Sequence, residues 1–322
     1  MNLQTTHRLR GVAVGAAVGD ALGMPLEFDL ASPPGKLIRE MHAGRLPAGN
    51  FTDDTEMALA LAESLLALRM LDPQDVSTRF LDWYKRRPPD VGIHTTNVLD
   101  CIEQGETWEN AAVVVQKRYP DSAGNGSVMR SWPVALMCWH DEEMLYTWSR
   151  LQSRVTHTHE ECIAGCAFIN SMIAQMINGT APFDAYQRAL AQVDMPEGLR
   201  QTIRLAPRRK RDELRNTGWV RHTVESALWG LLNTDTFEDA LVQVINLGAD
   251  ADTAGAVVGA LAGAAYGLEA IPEAWKIMLR GEWPLQSGSI LRLTDFITLA
   301  DHLAGSLNAD ARRVFNSRNQ AA

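Results

Sequence analysis

Cysteine is scarce in this chain of 322 residues: there are four, Cys101, Cys138, Cys162 and Cys166. None belongs to a C-x-x-C pair, which excludes a disulfide framework and the common zinc-finger spacings and suits a reducing compartment. Positive charge is also short, with 30 Lys and Arg against 39 Asp and Glu and a net charge of -9, which argues against a partner held through a nucleic-acid backbone. No apolar run reaches the roughly 20 residues of a membrane span. Residues 11–18, behind Arg8 and Arg10, have the outline of a signal peptide, but Asp20 and Glu27 interrupt it. The expectation is a cytoplasmic protein with neither nucleic acid nor membrane as partner; oligomeric state leaves no signature.

Strand-type alternation is nearly absent too. Val113, Val114 and Val115 form the best short strand candidate and would serve equally as a buried helix turn. Elsewhere the apolar spacing is helical, as in Met57, Leu61, Leu65 and Leu68. This predicts an all-α fold; at this length one large multi-helix domain over residues 1–322 or two medium ones are both possible. The breaks at residues 32–35, 87–90, 122–126 and 195–198 are too short for domain linkers.

Glycine, by contrast, is patterned. Gly11, Gly15, Gly19 and Gly23 recur every four residues, and so do Gly255, Gly259, Gly263 and Gly267. Helical glycine costs about 0.5–1 kcal/mol relative to alanine, so each stripe needs an offsetting gain, namely close backbone approach to another element. Each stripe adjoins acids: Asp20 and Glu27 in one case, Asp250 and Asp252 in the other.

Thr52-Asp53-Asp54-Thr55-Glu56 opens a strong helical pattern, with Asp53 and Glu56 spaced as an N-terminal cap. Capping needs one acid, whereas two carboxylates flanked by threonines are hard oxygen donors of the kind magnesium, calcium or manganese prefer. Asp250-Ala251-Asp252-Thr253 repeats the combination. Two such clusters can converge on two metal ions. Gly124-Asn125-Gly126 is a small-residue turn able to admit a phosphate, though it lacks a P-loop lysine. His157-Thr158-His159 has no third soft ligand nearby, which favours substrate contact or a core role over zinc. Cys162 and Cys166 read as small buried residues, and Arg208 to Arg211 as a solvated basic loop.

In chain order, Gly19-Asp20-Ala21-Leu22-Gly23 with Glu27, residues 51–57, Arg87-Pro88-Pro89-Asp90-Val91-Gly92, Gly124-Asn125-Gly126 with Met129-Arg130, Thr156-His157 and residues 248–253 resemble the ADP-ribosylglycohydrolases, especially the bacterial ADP-ribosyl-dinitrogen reductase type. The resemblance runs from about Arg10 to Pro272. It implies an all-α domain whose cleft holds two divalent cations, Mg2+ or Mn2+, with Thr52, Asp53, Asp54, Asp250, Asp252 and Thr253 as ligands. It further implies Glu27 and Asp90 as catalytic carboxylates, and Gly124, Asn125, Gly126 and His157 as the ADP-ribose site. The expected reaction is removal of ADP-ribose from a protein side chain, arginine above all, by N-glycosidic cleavage. Two departures stand out: Ile93-His94-Thr95-Thr96 replaces the Asn-Thr of close relatives after Asp-Val-Gly, and Glu160 stands where many members have proline. The alternatives are an inactive, crystallin-like member of the same fold and a magnesium-dependent diphosphate enzyme of terpenoid-synthase type. The 7% aromatic content and the D-A-D-T spacing weigh against the latter.

Overall fold

The structure, a computed structural model, describes residues 2–306. It is built almost wholly of helices, packed around an antiparallel pair formed by Leu3–Gly23 and Ala251–Tyr266. The two glycine stripes meet along this pair. A Cβ on Gly11, Gly15 or Gly19 would strike the carbonyl of Gly263, Gly259 or Gly255 in turn, and the reverse holds for each partner. Close approach is thus why both stripes tolerate glycine. Gly267 departs from the pattern: it caps the second helix in the left-handed region, at φ 81°, while Ala251 faces Gly23.

The segment Leu3–Leu26 is, by length and composition, apolar enough to cross a membrane, although Arg8, Arg10 and Asp20 break it into shorter apolar runs. In the fold 89% of that window is buried inside the protein, as the central helix must be. Around the pair lie Glu160–Ile177, Val220–Leu232, Phe237–Ile245 and Leu293–Ser306, and Asp53–Leu68 packs with Pro73–Lys85 on the flank that carries the first acidic cluster. The valines 113–115 lie inside the helix Trp108–Arg118, with Val115 buried and the other two exposed. Among the described residues, sheet is confined to a small antiparallel hairpin, Arg280–Glu282 with Ile290–Arg292, which the sequence reading did not anticipate. Strands this short leave too few residues for alternation to register.

The start of Asp53–Leu68 corrects the capping expectation. Thr52, not Asp53, is the N-cap, and its own side chain makes no capping bond. The amide groups that this helix start leaves without partners are satisfied from a distance: Thr52 and Thr55 donate their backbone N–H to the carboxylate of Asp20, at 3.0 and 3.1 Å. Their hydroxyls donate to the same carboxylate. Glu56 instead accepts from the Trp83 indole at 2.7 Å. A fully buried acid on the central helix therefore docks the second helix end-on.

Candidate active site

Two chain reversals bring the acids together. After Gly23 the chain makes one tight turn, Met24–Leu26, and delivers Glu27 beside the N-terminus of Ala251–Tyr266. Phe28 follows with φ 67° and Ala249 has φ 53°, left-handed backbone that costs a non-glycine residue of order 1 kcal/mol. The two strained residues lock their loops together: the Phe28 amide donates to the Ala249 carbonyl at 2.6 Å, and the Ala249 amide to the Asp29 carbonyl at 2.8 Å. Asn216 braces the same turn, its side-chain amide donating to the carbonyls of Gly248 and Asp250 at 2.8 and 3.1 Å. Asn216 was not singled out from the sequence, and a lone asparagine gives no signal there.

These turns wall a cleft of about 770 Å³, a volume suited to a dinucleotide-sized ligand. Glu27, Asp53, Asp54, Asp90, Asp250, Asp252 and Thr253 line it on one side, with Gly124, Asn125, Gly126 and His157 also on its wall. Of the sequence-derived set, Thr52 alone stands behind the wall, its hydroxyl engaged with Asp20 and Asp54. The two acidic clusters are in contact, since Thr253 Oγ1 donates to Asp54 Oδ2 at 3.3 Å. Asn125 is committed to the protein: its side-chain amide donates to Thr223 Oγ1 and Asp250 Oδ2, both at 2.8 Å, so it orients a carboxylate of the second cluster.

One residue that sequence reasoning missed joins three of these acids. The Arg45 guanidinium reaches Glu27, lies 2.7 Å from Asp90 Oδ2, and donates to Asp252 Oδ2 at 2.8 Å. Glu27, Asp90 and Asp252 each offer an oxygen within 4.8 Å of the others, the spacing of a shared cation. Arg45 sits in a loop with no motif of its own, so only the fold reveals it.

The electrostatics are those of a crowded acid cluster. Burial, reinforced by neighbouring carboxylates, pushes Asp53, Asp54 and Asp252 well above the usual carboxylate range. Burial raises Glu27 to about 7, with Arg45 opposing the shift and Asp90 adding to it. The buried Asp54 Oδ1 finds no hydrogen-bond donor among the described residues. An orphaned hard oxygen in a nest of like charges fits a divalent cation, which would satisfy the oxygen and offset the repulsion.

The remaining predicted residues are plainly placed. His157 is buried with one edge on the cleft, and its ring stacks at 4.6 Å on that of His94. His94, part of the first sequence departure, turns inward to Ser122 Oγ and the Thr156 carbonyl at 2.9 and 3.1 Å, while Ile93 is left exposed at the rim. His159 caps Glu160–Ile177, its Nδ1 accepting from the Glu161 amide at 3.2 Å. Cys162 and Cys166 are buried beneath the Gly124 turn, their thiols directed at the Gly124 carbonyl and Ser127 Oγ. Arg209 and Arg211 of the basic loop are not simply solvated, since they bond to Glu225 and to the Asn246 carbonyl.

A helical core that converges its acids on one cleft defines the broad class, a helical protein whose acidic site could hold a metal ion. The ADP-ribosylglycohydrolase family model matches residues 1–312, and the chain belongs to that family of enzymes. It is 34% identical over 287 residues to the ADP-ribosylarginine hydrolase Tri1 of Serratia proteamaculans, covering 84% of this chain and 75% of that protein. It is 34% identical over 275 residues to the ADP-ribosyl-[dinitrogen reductase] glycohydrolase of Rhodospirillum rubrum, covering 83% and 88%. Among solved structures, a chain described as an ADP-ribosylglycohydrolase-related protein complex superposes with a TM-score of 0.77 at 31% identity, covering 95% of this chain and 100% of that one. None of these matches favours the crystallin-like or the diphosphate-enzyme alternative.

Proposed function

We propose that the protein removes ADP-ribose from arginine side chains of modified proteins. The observation that carries the arginine linkage is Arg45: a guanidinium already lies across Glu27, Asp90 and Asp252, so the acid end of the cleft is shaped and charged for that group. The names of the relatives, an ADP-ribosylarginine hydrolase among them, support the same reading.

The cations, two in number on this reading and either Mg2+ or Mn2+, would be held by Asp53, Asp54, Asp252 and Thr253 with Glu27 at their edge, Asp250 completing the second cluster. When bound they supply positive charge that orients the ribose 2' and 3' hydroxyls and lowers the pKa of water. The reaction joins the oxygen of a water to the ribose anomeric carbon as the bond from that carbon to the guanidine nitrogen breaks. The sugar becomes cationic on the way, and the Glu27 and Asp90 carboxylates, converging on one point, stabilise that charge while one of the two accepts the proton of the water. The guanidine is strongly basic and ends protonated, so no separate strong acid is required. The Gly124–Gly126 turn and His157 take the nucleotide end of the substrate.

The deciding experiment incubates the protein with arginine-linked and serine-linked ADP-ribosylated peptides in Mg2+ or Mn2+ and reads released ADP-ribose by mass. Arginine-linked peptide should be cleaved faster, with Asp90→Ala losing that activity about 100-fold or more. A serine preference, or unchanged arginine-linked turnover in the variant, refutes the linkage.

A further inference from the structure

Arg130 is fully buried and no carboxylate acts on it, among the described residues. Its guanidinium lies 4.3 Å over the Phe80 ring and donates to Gln152 Oε1 and the Gln152 carbonyl at 3.3 and 3.2 Å, and to Thr156 Oγ1 at 2.8 Å. Burial lowers it only to about 9, so it stays protonated at neutral pH. An unpaired buried cation is expensive, and an apolar side chain of similar volume would pack there at less cost. What a guanidinium provides that an apolar side chain or a hydroxyl does not is certainty of direction: it donates and never accepts.

That certainty propagates. Because Thr156 Oγ1 accepts from Arg130, its own proton is free for its other neighbour, His157 Nδ1, at 2.7 Å. Nδ1 then accepts, and the imidazole proton resides on Nε2. Nε2 is the atom against the Gly124–Gly126 turn, where a Cβ added at Gly126 would lie 3.2 Å from it. The stacked His94 is fixed in the same sense: a carbonyl, that of Thr156, can only accept, so His94 Nε2 carries a proton and Nδ1 accepts from Ser122 Oγ. Two neutral rings stack without charge repulsion, and the edge of His157 on the cleft is a hydrogen-bond donor.

We propose that Arg130 is a positioning residue which, through the Thr156 hydroxyl, fixes His157 as the neutral imidazole protonated on Nε2, so that the ring donates to an acceptor of bound ADP-ribose. The ADP-ribose part rests on the function proposed above, whereas the tautomer does not. Long-range 1H–15N correlation on histidine-labelled protein, with His157 assigned by a His157→Gln variant, should report a protonated Nε2 and a bare Nδ1; a protonated Nδ1 in the wild type overturns the proposal. Arg130→Met separates positioning from a structural role. It should keep or raise thermal stability, yet weaken binding of free ADP-ribose about tenfold by calorimetry and admit the Nδ1-protonated form. In the His157→Gln background it should weaken binding no further. Thr156→Val should behave like Arg130→Met, and Thr156→Ser, which restores the hydroxyl, like the wild type. Full additivity of the Arg130 and His157 losses, or an unaltered tautomer and affinity in both Arg130→Met and Thr156→Val, overturns it. If the wild type has the stated tautomer but binds no ADP-ribose, the donor role fails together with the proposed function.

Discussion

Asp54 shows how a single carboxylate can oppose stability and serve function. One of its oxygens accepts from Thr253 and lies 3.2 Å from the Thr52 hydroxyl, the other is buried without a donor, and the carboxylates of Asp20 and Asp53 lie close enough to raise its proton affinity. Asp54→Asn keeps the shape and removes the charge, so the chelated variant should melt above the chelated wild type while its bound Mn2+ and its hydrolysis both fall at least about tenfold. Melting curves in chelator and metal analysis of the purified protein check the two halves separately. Arg45 makes the opposite case. It neutralises Glu27, Asp90 and Asp252, and a cation held by the same oxygens competes with it. Arg45→Ala should therefore lower the melting temperature in chelator but tighten Mn2+ binding in calorimetry; weaker Mn2+ binding would mean that Arg45 and the ion occupy different places.

At the scale of elements, the site depends on how closely two helices approach. The contact of Gly15 with Gly259 leaves no room for a methyl group, and Glu27 and Asp252 lie at the end of that same pair. Gly259→Ala should cost about 1–3 kcal/mol in denaturant unfolding and, by spreading the pair, reduce hydrolysis more than its stability loss accounts for. A soluble variant with full activity would separate the glycine contact from the cleft. The stripes, the two acidic clusters and the turn at Gly124 were legible in sequence because each is a local pattern with a period or a fixed spacing. Arg45, Asn216 and the capping carboxylate of Asp20 were not read as parts of the site, because their partners lie far away in the chain: Asp20 reaches Thr52 and Thr55, and Arg45 reaches Asp252. The capping reading of Asp53 failed for the same reason, since a local rule for satisfying helix amides has no term for an acid arriving from another helix.

The whole molecule carries its acid cluster as a pH-dependent strain. Burial raises Asp20 to about 6 and Glu27 and Glu56 to about 7. Each binds a proton more tightly folded than unfolded, so the stabilising effect of that proton is complete below the unfolded pKa near 4 and is lost as pH rises through the folded values. His94 and His157 act with the opposite sign, because burial lowers both: their neutral forms cost stability as pH falls below about 6.5. Metal-free protein should therefore lose stability as pH is raised from about 7 to 8, where the histidines of the unfolded chain are already mostly neutral and the loss of carboxyl protons dominates. Saturating Mn2+ should flatten that slope, because a bound cation replaces the protons as counter-charge. Melting temperatures across this range in chelator and in Mn2+ test both statements; parallel curves would place the metal away from these acids.

The meeting of the two glycine stripes also constrains how the gene can vary. Every missense change reachable from a glycine codon by one base adds at least a β-carbon, and at Gly11, Gly15, Gly19, Gly255, Gly259 and Gly263 that carbon lands on a backbone carbonyl of the facing helix. No neighbouring codon offers a smaller step, and a compensating change opposite is unavailable, since the partner position is already glycine. A saturation library scored for folded protein should therefore show two blank lanes with a period of four, in a core whose other positions accept exchanges among apolar residues.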